Sequence, residues 1–187
     1  FAPDRVRVQP RAELEAVLIY QMAALAGMAR AEGLGMAHVK PHGALSNMAC
    51  RDAALAATVA AAIKAFDPAL ILLAPACSEL AKAGQAAGLR VVQEIFADRA
   101  YLDDGSLVPR SRPDAMIHST AASLAHVLAM LDAQAIISVN GTHRPTPIGS
   151  ICVHGDGPDA VATARTLRAG LLDRGYRLAG LKAIASD

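Results

Sequence analysis

Five consecutive residues, Leu70-Ile71-Leu72-Leu73-Ala74, are apolar without a polar interruption, and they constrain the fold more than any other stretch. A strand with one face in water alternates apolar and polar side chains. A strand apolar on both faces must be covered on both, which is the condition of a parallel sheet lying between helices. Asp67-Pro68 stops the segment before this run, and the segment after it, Glu79 to Ala87, reads as a helix opened by Ser78 and ended by Gly88.

The rest of the chain repeats that unit. Leu14, Val17, Leu18, Met22, Leu25 and Met28 form a helical stripe that predicts a helix over 11–32, stopped by Gly33 and Gly35. Met36 to Lys40 is extended and ends at Pro41, and Asp52 opens a helix running to about Phe66. Arg90 to Ile95 reads as the next strand. Asp98 to Pro113 is polar, has turn chemistry in Asp103-Asp104-Gly105 and lacks an apolar period, so it is expected to be an ordered functional loop or a lid. A helix over 118–131 follows, then an extended run from Ala135 to Val139, a two-residue hairpin turn at Asn140-Gly141, a strand from Ser150 to Val153 and a last helix over 157–174 closed by Gly175. Alternation of this kind predicts a single α/β domain built on a parallel sheet with right-handed crossovers.

Charge and composition exclude several functions. Lys and Arg total 18 against 17 Asp and Glu, so there is no basic footprint for nucleic acid or an anionic membrane. Although 53% of the residues are hydrophobic, Ala-rich helices account for much of this, and Lys64, Asp67, Lys82 and Arg90 are expected to keep every apolar run below the roughly 20 residues of a membrane span. The three cysteines, Cys50, Cys77 and Cys152, are far apart in apolar surroundings and predict reduced, buried thiols in a cytoplasmic protein. The chain opens at Phe1 rather than Met and has no signal-peptide pattern.

In parallel α/β sheets ligand chemistry collects beyond the C-terminal ends of the strands. Three constellations fall there. His38-Val39-Lys40-Pro41-His42-Gly43 puts Lys40 and His42 at a strand mouth, where His42 can act as general acid or base and Lys40 can hold a carboxylate or phosphate. Helix capping by His42 and an ion pair for Lys40 account equally well for the pattern. Glu94-Ile95-Phe96-Ala97-Asp98-Arg99 brings two carboxylates and a guanidinium to the start of the long loop, either to handle a bound anion or as an internal Asp98–Arg99 or Glu94–Arg99 pair. Arg110 adds a second cation to that loop. Cys152-Val153-His154-Gly155-Asp156 aligns polar side chains at spacing two, so that His154 and Asp156 can meet one substrate or one metal, while Asp156 also suits the cap of a helix beginning near Pro158. His118, His126 and His143 read as structural or solvated. Gly33-Leu34-Gly35 is not a dinucleotide fingerprint, and there is no Gly-Lys-Ser/Thr phosphate loop.

Three of these stretches, His38 to Leu45, Phe96 to Tyr101 with Val108-Pro109-Arg110-Ser111, and Ile151 to Asp156, stand in the order and spacing of the LamB/YcsF family, which the chain resembles over nearly its whole length. The resemblance implies an irregular TIM-like β/α barrel of the glycoside hydrolase/deacetylase type. It further implies ATP-dependent hydrolysis of 5-oxo-L-proline to L-glutamate, in concert with partner subunits B and C of a 5-oxoprolinase and with ATP as co-substrate. The family's amino-terminal motifs are not found before Arg11, which carries the expectation that the first barrel strands are missing from this chain. An unstrained five-membered lactam is a poor electrophile, and phosphorylation of its amide oxygen would activate it. The site must then manage anionic charge, for which Lys40, Glu94, Arg99 and Arg110 are the expected substrate- and phosphate-binding residues, and deliver acid–base chemistry, for which His42, Asp98, His154 and Asp156 are the expected catalytic residues. A divalent metal is compatible with the His/Asp pairs. Two alternatives stay open at this point: a metal-dependent carbohydrate hydrolase or deacetylase, and a non-catalytic scaffold protein.

Overall fold

The computed structural model describes residues 10–155 and 159–184. The expected α/β architecture with parallel strands is observed. Where the sequence suggests one domain, the chain groups into two compact units, Phe1–Val92 with Leu181–Asp187, and Gln93–Gly180.

The first unit opens with α1 (Arg11–Ala31), then β1 (His38–Val39), α2 (Gly43–Ala49), α3 (Ala53–Phe66), β2 (Ile71–Pro75), α4 (Glu79–Ala86) and the first residues of β3 (Arg90–Phe96). β1 and β2 are parallel, with His38 opposite Ile71 and Val39 opposite Leu72, and β3 lies beside β2. The two-faced apolar run behaves as its composition requires. Leu72 and Ala74 pack into a core with Val59, Ile63 and Leu80, while Ile71 and Leu73 pack with Val92 and with Leu181. Leu181 belongs to a last short helix, α7 (Leu181–Ile184), that the sequence pattern does not reveal; α5 and α6 lie in the second unit.

Caps place the helix starts. Asp52 Oδ1 accepts from the backbone N–H groups of Ala54 and Leu55 at 2.9 and 3.0 Å, and Ser78 Oγ accepts from Ala81 N–H at 3.1 Å. Close packing of α4 depends on Gly84, where a Cβ would come within 2.5 Å of Leu72 and 2.8 Å of Val91. The short α2 enters the sequence reading only through the capping role considered for His42, and its extent is not read because His42 to Cys50 carries no apolar period.

One expectation is corrected. Helix α1 is 21 residues long and contains an 18-residue stretch with a mean hydropathy of 1.2, enough by length and composition to cross a membrane. The charges invoked against a span lie downstream, whereas those of α1 (Arg11, Glu13, Glu15 and Arg30) cluster at its ends. α1 packs on α3, with Arg11 Nε donating to Thr58 Oγ1 at 2.8 Å, buries Met22 and leaves Tyr20, Leu25 and Met28 exposed.

The second unit holds the end of β3, the segment 97–119, α5 (Thr120–Ala133), β4 (Ala135–Ile137), β5 (His143–Pro145), β6 (Ser150–Cys152) and α6 (Ala160–Asp173). β3 and β6 are parallel, pairing Glu94 with Ser150, Ile95 with Ile151 and Phe96 with Cys152. The run from Ala135 is not a strand of that sheet: β4 pairs antiparallel with β5, Ile137 opposite His143. The connection is wider than a two-residue turn, since Ser138 N–H donates to the Thr142 carbonyl and Gly141 N–H to the Ser138 carbonyl. α5 begins two residues later than the apolar stripe suggests because Ser119 Oγ caps Ala122 N–H at 3.1 Å. α6 begins at Ala160 with Asp159 at its N-cap, so the expected start near Pro158 moves inward, and Asp156 lies outside the described residues.

The long polar segment is ordered. Two isolated antiparallel bridges, Arg99 with Met116 and Tyr101 with Leu107, fold it back on itself over Ala100, Val108 and Ala115.

Candidate active site

The β3–β6 register ends at Phe96 opposite Cys152, and Ala97 N–H donates to the Cys152 carbonyl at 3.0 Å. Asp98 and His154 each follow that last pair by two residues, so the two segments leave the sheet with these side chains adjacent. His154 Nδ1 is 2.7 Å from Asp98 Oδ2 and 2.9 Å from Oδ1. A carboxylate oxygen accepts, so Nδ1–H is the donor of this contact and Nε2 is the ring nitrogen turned away from Asp98. Side-chain exposures of 26% for His154 and 18% for Asp98 leave the pair partly covered yet reachable from solvent.

The surroundings hold this imidazole in place. The Phe96 ring stacks on it, with centroids 5.7 Å apart and planes inclined by 15°. Phe96 is anchored by its backbone N–H, which donates to the Tyr101 hydroxyl at 2.8 Å. Tyr101 is 3% exposed, and burial pushes its hydroxyl far above the ordinary tyrosine range, so it stays protonated. His126 stacks on Tyr101 at 6.1 Å, and its Nε2 donates to the Arg99 carbonyl at 3.1 Å. Burial lowers the His126 pKa, opposed by that hydrogen bond. His126 is structural, as the sequence reading has it, but it supports the segment that carries Asp98. Phe96 and Tyr101 are not among the site residues the sequence singles out. Their signal is their placement, two before and three after Asp98, on a strand end that alternation alone marks as core.

The other expected residues divide. Glu94 lies inside β3 rather than beyond it, is 3% exposed and accepts from Ser150 Oγ at 3.2 Å. Arg99 forms neither of the ion pairs considered from the sequence among the described residues. Its Nη2 instead donates to the Val108 carbonyl at 2.8 Å, and it is 7% exposed. Arg110 is exposed, two residues beyond Val108. In the first unit Lys40 follows β1 and is half-buried, while His42 is exposed at the N-cap position of α2, with no side-chain bond to the helix. The three cysteines are thiols, half-buried rather than buried, and burial raises the Cys50 thiol pKa. Among the described residues no three His, Cys, Asp or Glu side chains gather as a metal-holding group. Asp98 and His154 bring two ligand side chains and no third gathers beside them among the described residues, so these do not by themselves fit a divalent metal.

Parallel strands that end in an oriented imidazole–carboxylate pair define an α/β protein equipped for acid–base chemistry. The chain belongs to the LamB/YcsF family, whose model matches residues 5–186. It is similar to a 5-oxoprolinase A subunit from Azoarcus sp. (strain BH72), with 58% identity over 91% of this chain and 66% of that protein. A 5-oxoprolinase A subunit from Methylococcus capsulatus is 50% identical over 90% of this chain and 65% of its own length. The chain thus spans about two thirds of these curated relatives. The crystal structure of a lactam utilization protein from Thermus thermophilus superposes with a TM-score of 0.84 at 37% identity, over 93% of this chain and 69% of that one.

Proposed function

We propose that this chain serves as the A subunit in ATP-dependent hydrolysis of 5-oxo-L-proline to L-glutamate, working with subunits B and C in the cytoplasm. The observation that carries the reading is the Asp98–His154 pair, oriented at the strand ends of a chain similar to proteins named as 5-oxoprolinase A subunits. The irregular TIM-like barrel belongs to the same proposal, as a property of the whole protein.

The chemistry fits that pair. Transfer of the γ-phosphoryl group of ATP to the lactam oxygen makes the ring carbon electrophilic. Water then adds to that carbon, the C–N bond breaks with the nitrogen leaving as an amine, and the resulting acyl phosphate is hydrolysed by a second water to glutamate and phosphate. His154 Nε2 takes the proton of the attacking water and returns it to the departing nitrogen. Asp98 holds Nδ1–H and stabilises the imidazolium between those two events. The Phe96 ring keeps the imidazole plane fixed while the proton moves.

The test is reconstitution of the full-length protein with its two partner subunits, ATP and 5-oxo-L-proline. Glutamate release coupled to ADP formation is expected. Its absence in a correctly assembled complex would rule the reading out.

A further inference from the structure

The segment after β3 carries three arginines, and they are treated differently. Arg112 forms a two-pronged pair with Asp114, its Nε donating to Oδ1 at 2.9 Å. Arg99 and Arg110 have no carboxylate hydrogen-bonded to them among the described residues. Arg99 is the costly case. Its guanidinium is withdrawn from water, one donor is spent on the Val108 carbonyl, and its Nε is buried with no hydrogen-bond partner among the described residues. A buried cation with unused donors is unfavourable unless something anionic completes it. Asp98 acts on it electrostatically, but its carboxylate is hydrogen-bonded to His154 and not to Arg99 among the described residues. The bond to Val108 also brings the Arg99 fork against the stretch of chain that leads directly to Arg110. Burial first, and the Arg110 charge second, depress the Arg99 pKa, so the two guanidinium groups feel each other. Two cations that feel each other beside an acid–base pair, one buried and one exposed, have the form of an anion clamp.

We propose that Arg99 and Arg110 together form a subsite for an oxyanion carried by the substrate, with Arg99 as its fixed buried wall and Arg110 as the exposed arm that closes on it. The ligand chemistry is a planar or tetrahedral oxyanion, a carboxylate or a phosphoryl group, which a guanidinium fork binds through paired N–H donors as an ammonium does not. The subsite adjoins Asp98 through the peptide bond to Arg99, so it sets where the bound molecule lies relative to His154. This inference deepens the reading of the site given above and rests on it for the identity of the substrate, though not for the existence of the anion clamp.

The experiment is calorimetric titration of the full-length protein and its Arg110→Gln variant with 5-oxo-L-proline, with 2-pyrrolidinone, which is the same lactam without a carboxylate, and with inorganic phosphate. Arg110 is exposed, so the variant is expected to fold, and circular dichroism checks that it does. If the carboxylate is the ligand, Arg110→Gln weakens 5-oxo-L-proline at least about tenfold and leaves 2-pyrrolidinone unchanged. If the phosphoryl group is the ligand, the same variant weakens inorganic phosphate about tenfold and leaves 5-oxo-L-proline unchanged. Phosphate binding that depends on Arg110 in a protein with no affinity for 5-oxo-L-proline would sustain the clamp and count against the functional reading. Equal affinities of wild type and variant for all three probes would overturn the clamp.

Discussion

Asp98 and His154 meet because β3 and β6 run parallel in a register that sets Phe96 opposite Cys152, and each residue lies two positions beyond its partnered strand end. The two are 56 residues apart in sequence, yet the pair is a consequence of strand pairing alone. A one-residue slip would turn one of the two side chains away and dissolve it.

Replacing His154 with Gln removes the proton carrier of that pair, and replacing Asp98 with Asn removes the charge that orients it while keeping its shape. Each variant is expected to lose about 10²- to 10⁴-fold in the rate of glutamate release by the reconstituted system, with little change in the melting temperature. Turnover within a factor of about two of wild type for both variants would show that the pair is only structural.

Tyr101→Phe tests the support of Phe96. The substitution removes the acceptor of a buried backbone N–H, 2.8 Å away, without opening a cavity. A loss of about 1–3 kcal/mol in urea unfolding is expected. An unchanged unfolding midpoint would mean that the N–H finds another partner at no cost.

Acidification should weaken the fold through His126. Burial depresses its folded pKa below the ordinary value of 6.5, so the unfolded chain takes up a proton in a range where the folded chain does not. The contribution is constant above that ordinary value and is lost as the pH falls from it toward the folded pKa. His126→Gln removes this dependence, and denaturation midpoints measured between about pH 7.5 and 5.5 should therefore fall less steeply for the variant than for wild type. Parallel slopes would refute the assignment.

Cys77 occupies a left-handed backbone conformation, φ 60°, in the turn between β2 and α4. For a residue with a Cβ this costs about 1 kcal/mol, so Cys77→Gly is expected to raise the melting temperature by roughly 2–4 °C, while Cys77→Ala, which keeps the strain, is not. A lower melting temperature for the glycine variant in thermal scans would show that the thiol contributes more than the strain removes.

Much of the fold is legible along the chain because its signals are local. The unbroken apolar run of β2, the stripe of α1, and the caps Asp52 and Ser78 each act within a few residues of where they are read. The elements that escape a reading of the sequence are short or set by distant partners. α2 and α7 are too brief to show a period. The run from Ala135 looks like any other apolar strand, and only its pairing with His143 to Pro145 takes it out of the parallel sheet. At the site, Asp98, Arg99 and His154 stand out by their position after strands. The role of Arg99 does not, because an arginine next to an aspartate in sequence suggests an ion pair, and only the folded segment directs its fork to the Val108 carbonyl.

The sequence by itself determined the class of fold, the places where strands end and the small set of polar residues that follow them, since hydrophobic periodicity and turn chemistry are written in neighbouring residues. Tertiary structure alone decided which of those residues meet. The alignment of β3 with β6 joins Asp98 to His154, stacking on Phe96 fixes the plane of the imidazole, and burial leaves Arg99 Nε without a hydrogen-bond partner among the described residues. Those are properties of register and desolvation, which depend on what the rest of the chain places alongside and so cannot be read from any one segment.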